Sequence, residues 1–488
     1  HDKPRGRAKS HSDRLDPSTG RLFRSRLKLL SSFLTKNHLN RSYILQLMQD
    51  LTAPYIKVAF TDLDGVLRGK YMPLNKLETA SHEGMGFCNV VFGWDIQDEV
   101  YPFESVSGWN TGFPDGQLTI DPSTKREMPW EDGMPLYLGD FRVDEDLGEI
   151  CPRNLLRTII KEGSELGFQA KFGAEFEWFL FQETPDSLNE KKFTDLHPLS
   201  PGMFGYSMLR TGQFKTFNHK LLADSKSTGL VLEGLHTETG PGVYEAAIHY
   251  DQVLRAADHA VLFKLLVKQV AYAMDGLASF MAKWSLDYPG CSGHLHHSLW
   301  SEDNTPVFGY TSDGTHLNTI TEQFIAGQLM CLPYIMPLLA PNSNSYRRYV
   351  EGSWAPTTVS WGKDNRTTAI RVVLEPKGGL HLEHRVPGSD ANPYLSMAAC
   401  LASGLYGIKH QLTLSDTYSA GNAYANEQLQ KFPNTLSKAV DKMKQSAIPN
   451  ELFGDRFVEH FIKTREWEVE ASDNKDLSWE RSRFLEII

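Results

Sequence analysis

Cysteine is scarce in this chain: five among 488 residues, at Cys88, Cys151, Cys291, Cys331 and Cys400, an odd number with no C-x-x-C pair. Such scatter excludes a disulfide framework and a cysteine-based zinc centre, and it fits a reducing compartment. Long apolar runs are scarce too. The stretch Val261 to Met274 is broken by Lys264 and Lys268, and no membrane span is expected. Neither a P-loop nor a G-x-G-x-x-G is present to cradle phosphates in the usual ways. Positive charge is in deficit, 50 Lys and Arg against 60 Asp and Glu for a net −10, which argues against a general nucleic-acid binder. Apolar residues are plentiful: 41% hydrophobic and 11% aromatic content excludes a mostly disordered chain. The length predicts more than one folding unit.

Charge is unevenly spread. The first forty residues hold ten basic side chains against three acids, leaving about −17 for the remainder. Within them, Leu22, Phe23, Leu27, Leu30 and Leu34 fall near one helical face. Two readings stand: a remnant of an organelle-targeting peptide, or a basic arm that docks on a neighbouring subunit. The expected compartment is cytoplasmic, or an organelle such as the mitochondrion under the first reading. From Tyr55 the pattern becomes α/β. Ile56 to Thr61 reads as a strand, short strands continue to about Asp144, and Glu145 to Pro152 reads as a connector. Helices are predicted around Arg153–Leu166, over Asp251 to Trp284 and over Pro393 to Leu412, with a strand in FQAKFGAEFEWFLF.

Asp62-Leu63-Asp64-Gly65 after an apolar strand resembles the nucleophile motif of the haloacid-dehalogenase phosphatases. The signal is short, and a DxDG turn after a strand is common for plain turn reasons. It also leaves the motif-dense chain beyond residue 170 unexplained, and the reading is rejected.

The chemistry concentrates in pairs. Glu175 and Glu177 are two apart in a strand-like run, so both carboxylates share a face. His294 and His296 repeat this in SGHLHHSLW, with His297 turned the other way, and Glu383 and Arg385 repeat it in HLEHRVPG. Glu238 and Glu245 flank a Gly-Pro-Gly turn. Hard oxygens with one imidazole suit Mg²⁺ or Mn²⁺ better than zinc. Arg347, Arg348, Arg366, Arg371 and Arg385 point to an anionic substrate, with structural salt bridges as the bland alternative. The residues alone lead to a divalent-metal enzyme that handles anions.

In order, FTDLDGVLRGKYMP, PDGQLTIDPST, GAEFEWFLF, GPGVYE, SGHLHHSLW, NSYRRYVEGSWAP, NRTTAIRV and HLEHRVPGSDANPY resemble the glutamine synthetases, particularly the bacterial-type branch. The resemblance implies an α+β fold: a basic extension over 1–42, a small β-grasp-like N-terminal domain over 43–147, and a large catalytic α/β domain over 148–488. It implies that Glu175, Glu238 and Glu245 hold one metal and Glu177, His294 and Glu383 a second. His296, Ser298, Arg366 and Arg371 would meet ATP. Arg348, Arg366 and Arg385 would meet the glutamate carboxylate and the transferred phosphoryl group, with Gly290 in the glutamate-side loop. ATP would phosphorylate the γ-carboxylate of glutamate, and an amine would then displace the phosphate. The site would lie between subunits of a homo-oligomer, a hexameric ring commonly stacked as a dodecamer, with no nucleic-acid or membrane partner.

The departures concern the amine. Ammonia-using members carry a Glu directly before Ala-Pro in the flap; here that position is Trp354, which offers an apolar wall and no base. Asp115 matches the second acid of the ammonium pocket, whereas the first is represented only by Asp95 or Asp98 in a loop of different length. Val243 and Glu351 replace the usual Gln and Pro. Three readings follow: a ligase joining glutamate to an organic amine, an ordinary ammonia-using synthetase, or a non-catalytic structural ring. The first is favoured.

Overall fold

The computed structural model describes residues 54–375 and 379–488. The basic arm of 1–42 and the first residues of the expected N-terminal domain lie outside the described residues. Strands β1 (Tyr55–Thr61), β2 (Leu67–Pro73), β3 (Met85–Cys88), β4 (Asp115–Met128) and β5 (Met134–Phe141) form a sheet in the order β2-β1-β5-β4-β3. The β1–β5 pair is parallel and the other pairs are antiparallel. This mixed sheet with the short helix Leu77–His82 has the β-grasp-like form expected. The expected connector contains a one-turn helix, Asp146–Ile150.

The DxDG segment is a structural turn. Asp62 Oδ1 accepts the amides of Asp64 and Val66, and its Oδ2 accepts Arg68 Nε at 2.8 Å. Asp64 is paired with Arg465 at 2.6 Å, and Asn392 Nδ2 donates to the Asp62 carbonyl. The Asp62 carboxylate is therefore spent on the turn itself and that of Asp64 on joining the small sheet to the rest of the chain, and no phosphatase nucleophile is available.

A nine-stranded sheet follows: β6 (Phe168–Phe181), β7 (Leu232–Thr237), β8 (Val243–Ile248), β9 (Asp251–Gln252), β10 (Leu277–Ser279), β11 (Gly293–Ser301), β12 (Trp361–Lys363), β13 (Ile370–Leu374) and β14 (Leu380–His384). Its path is β12-β13-β14-β11-β6-β8-β7, with β9 and β10 paired to β6. Strand alternation assigns its faces. Phe172, Ala174, Phe176 and Trp178 are buried on one side of β6, while Glu175 and Glu177 occupy the other. Helices Pro152–Glu165 and Val253–Tyr272 pack on this strand.

The long helix predicted to reach Trp284 stops at Tyr272, because Asp275 and Gly276 turn the chain into β10, which pairs with the end of β6. Helix Thr319–Leu339 was not predicted. Pro333 and Pro337 lie inside it, each removing a helical hydrogen bond, and burial of its apolar side chains outweighs that loss. It lies so close to helix Pro393–Lys409 that a Cβ on Gly404 would sit 2.1 Å from the Phe324 ring. Among the described residues, no helix is long and apolar enough to cross a membrane.

Candidate active site

Register alone gathers the site. His294 on β11 faces Glu175 on β6, and Glu177 on β6 faces Glu245 on β8. Glu383 on β14 lies opposite both His296 on β11 and Arg371 on β13. Partners across a ladder share a face, so these side chains converge on one surface of the sheet. Glu238 joins them from the loop after β7.

Two triads result, Glu175–His294–Glu383 and Glu177–Glu238–Glu245, each with ligand atoms within 4.8 Å of one another. The grouping differs from the one the resemblance suggested, in which Glu175 and Glu177 were exchanged. Glu175 is directly opposite His294, whereas Glu177 is opposite Glu245, and two residues of rise separate the two positions.

The electrostatics of the triads differ. His294 Nδ1 lies 3.0 Å from Glu175 Oε1 and 3.3 Å from Glu383 Oε1. Burial would raise the Glu175 carboxyl, but hydrogen bonds with His294 and His296 hold it well below its usual range. Glu383 is 1% exposed. Burial opposes its charge, yet Arg385, then His294 and His296, bring it down to about 2. Arg371 Nη1 donates to Glu383 Oε2 at 2.8 Å, and Arg385 Nη1 donates to its other oxygen. In the second triad, burial and then the charge of Glu245 push Glu177 well above its usual range. Burial also raises Glu245, against the hydrogen bond from His236 at 3.0 Å.

Three acids crowded in this way need a proton or a cation between them. Burial, then the charge of Arg385, lowers His294 from its usual range, and its buried Nε2 has no hydrogen-bond partner among the described residues. Carboxylate oxygens, joined in the first triad by one imidazole, fit a hard divalent cation at each triad.

Beside Glu175 a cavity of about 540 Å³ is lined by His296, Ser298, Trp300, Tyr250 and His381. His296 and Ser298 are thus brought to one concavity next to a triad. Arg371 lies between Glu383 and Asp364. On the other side, Arg348 is buried, donating to Ser292 Oγ at 3.3 Å and to the Val386 carbonyl. Gly290 packs against it: a Cβ there would sit 2.8 Å from Arg348 Cγ and 2.4 Å from the Ala282 carbonyl. Arg366 is exposed in the turn between β12 and β13.

Trp354 is 60% exposed with φ +63°, and its carbonyl accepts Arg385 Nη2 at 3.2 Å. Tyr424 Oη donates to the next carbonyl, that of Ala355, at 2.9 Å.

Not every expected residue joins the cluster. Asp115 is exposed at the start of β4, beside Gly86, and no hydrogen bond or ion pair among the described residues links it to the triads. Asp95 is a structural acid, paired with Arg483 at 2.8 Å and accepting Trp467 Nε1. Asp98 pairs with Arg68 at 2.8 Å.

Two contributors escaped the sequence reading. His236 touches Glu245, and His381 Nε2 lies 3.0 Å from His296 Nδ1. The two-residue rule that flagged Glu175 and Glu177 would have found His381, two before Glu383, and His236, two before Glu238.

The family model for the glutamine synthetase catalytic domain matches residues 149–484. The type-1 glutamine synthetase 2 of Dictyostelium discoideum is 45% identical over 443 residues, covering 89% of this chain and 84% of that protein. A glutamate–isopropylamine ligase of a Pseudomonas species is 34% identical over 437 residues, covering 89% and 95%. The solved structure of a GmaS/ADP complex superposes with a TM-score of 0.77 at 23% identity, over 90% of this chain and 98% of that one, a likeness of fold.

Proposed function

The chain belongs to the glutamine synthetase family and is an ATP-dependent carbon–nitrogen ligase, and from that premise we propose that it joins glutamate to an organic amine rather than to ammonia. The observation that carries the choice is Trp354. Its backbone is tied by Arg385 to Glu383, at the edge of a triad, while its indole stands free. An apolar ring at that position gives an alkyl or aromatic amine surface to bury and offers no carboxylate to draw in ammonium. A relative named for isopropylamine supports the same reading.

In this reading each triad holds Mg²⁺ or Mn²⁺, which when bound neutralises charge on phosphate oxygens. His296, Ser298, Arg366 and Arg371 take the nucleotide. Arg348 and Arg385, with Gly290 leaving room for the loop, orient glutamate. Its γ-carboxylate oxygen attacks the γ-phosphorus and ADP leaves. The amine nitrogen then attacks the acyl carbon, phosphate departs and one proton leaves the nitrogen. Arg366, exposed and unpaired among the described residues, is suited to reach the transferring phosphoryl group. Asp115 stands apart within one chain, which supports a site completed by a neighbouring subunit in a homo-oligomeric ring, with the two sheets in separate domains of 43–147 and 148–488.

A second reading, an ordinary ammonia-using synthetase, is favoured by the 45% identical relative. A non-catalytic ring is disfavoured by the six ligand positions, since buried acids without a task are costly to keep. The test is phosphate release from ATP with Mg²⁺ and glutamate across ammonia, ethanolamine, polyamines and alkyl or aromatic amines. Stimulation by an organic amine but not by ammonia supports the proposal; stimulation by ammonia alone overturns it.

A further inference from the structure

A second cavity, of about 460 Å³, has no lining residue in either triad. It lies between β4, the end of helix Lys215–Ser227 and the start of helix Val253–Tyr272. Lys125, Arg126 and Arg255 line it with His249 and His259, against two acids, Glu127 and Asp251. Their ion pairs are long, Glu127 at 3.6 Å from Lys125 and Asp251 at 3.6 Å from Arg255, beyond hydrogen-bond distance, although Asp251 Oδ1 also accepts the Gln252 amide at 2.7 Å.

Arg126 Nη2 is 3.1 Å from His259 Nε2. A guanidinium only donates, so the imidazole nitrogen accepts and the ring is neutral. Burial, then the Arg126 charge, pushes His259 down to about 4. Arg255 and His259 are four residues apart, so the first turns of their helix form the wall, and no acid occupies the first turn. The helix dipole adds positive field there. Such a concavity has the size and charge for a small anion held by a guanidinium fork.

A link runs from it to the nucleotide-side cavity. His249 lines the basic cavity and its Nδ1 meets Glu233 Oε1 at 2.6 Å, while Glu233 lines the other. Asp251 on β9 is also paired with Phe172 on β6, three residues before Glu175.

We propose that the basic cavity is a second binding site, for a small doubly charged anion of the phosphate or dicarboxylate class, whose occupancy is felt in the nucleotide-side cavity. An anion drawing on His249 competes with Glu233 for the same imidazole.

The test is calorimetric titration of the full chain, saturated with ADP and Mg²⁺, with inorganic phosphate or with succinate, against sodium chloride at matched ionic strength. The expected result is saturable binding of at least one anion, weakened tenfold or more by both Arg255→Gln and Lys125→Gln, with turnover in the absence of the anion unchanged. Phosphate alone binding identifies a phosphate ligand; succinate alone identifies a dicarboxylate. The bound anion is expected to change the KM for ATP at least twofold, and His249→Gln to keep the binding but lose that response. No saturable binding, or equal affinity in wild type and both variants, overturns the site. Binding with an unchanged KM overturns the coupling. The binding arm reads out independently of which amine the enzyme uses.

Discussion

Arg385 donates through Nη2 to the Trp354 carbonyl at 3.2 Å while its Nη1 holds Glu383, so one guanidinium ties the flap backbone to a triad. The tie is informative because Trp354 has φ +63°, a conformation that costs a bulky residue about 1–3 kcal/mol and persists only where its surroundings hold it. The flap is thus held in place by the same side chain that keeps Glu383 ionised. Arg385→Gln is expected to release both contacts and lower turnover about a hundredfold, on the scale of losing one charge-stabilising donor. Steady-state kinetics check this; turnover within threefold of wild type would contradict the role.

Glu383→Ala removes the partner of Arg371, Arg385 and His294 together. Phosphoryl transfer is expected to be abolished, with Mn²⁺ affinity reduced and the assembly state unchanged. Calorimetry with Mn²⁺, turnover and gel filtration measure the three quantities. Equal turnover in mutant and wild type would sink the catalytic assignment.

Trp354→Glu restores the acid that ammonia-using members carry. The expected outcome is a shift of at least tenfold in kcat/KM toward ammonia over larger amines, about 1.4 kcal/mol of discrimination. An unchanged amine preference would mean that this position does not select the nucleophile.

His460 is 2% exposed, near Ser105, and burial pushes it down to about 4. Unfolded, it titrates near 6.5, so between about pH 6.5 and 4 the unfolded chain binds the extra proton. Stability therefore falls as pH falls through that window and levels off below it. From pH 7 to pH 5, His460→Gln is expected to lose about 2 kcal/mol less than wild type in urea unfolding. Parallel losses would show that His460 does not set the slope.

Much of the site could be read from sequence because strands with two-residue alternation place every second side chain on one face. Glu175, Glu177, His294 and His296 follow from that rule, and β6 and β11 form where the alternation predicts. What could not be read was cross-strand register, a property of pairing between distant segments. The pairing of Glu175 with His294 and of Glu177 with Glu245 follows from that register, and it differs from the grouping the resemblance implied. Helix Thr319–Leu339 was hidden for another reason: continuous apolarity erases the helical period, and two internal prolines signal a break that tertiary burial overrides. Asp95 was ambiguous because one carboxylate in a loop reads alike whether it binds an ammonium ion or, as here, Arg483.

The central claim is that the flap selects an organic amine. Its most direct test is competition: the enzyme with ATP, Mg²⁺ and glutamate is given equal concentrations of ammonia and isopropylamine, and the γ-glutamyl products are resolved by mass spectrometry. The account predicts the γ-glutamyl alkylamide as the dominant product, with the ratio moving toward glutamine in Trp354→Glu. Glutamine as the dominant product of the wild-type enzyme would contradict it.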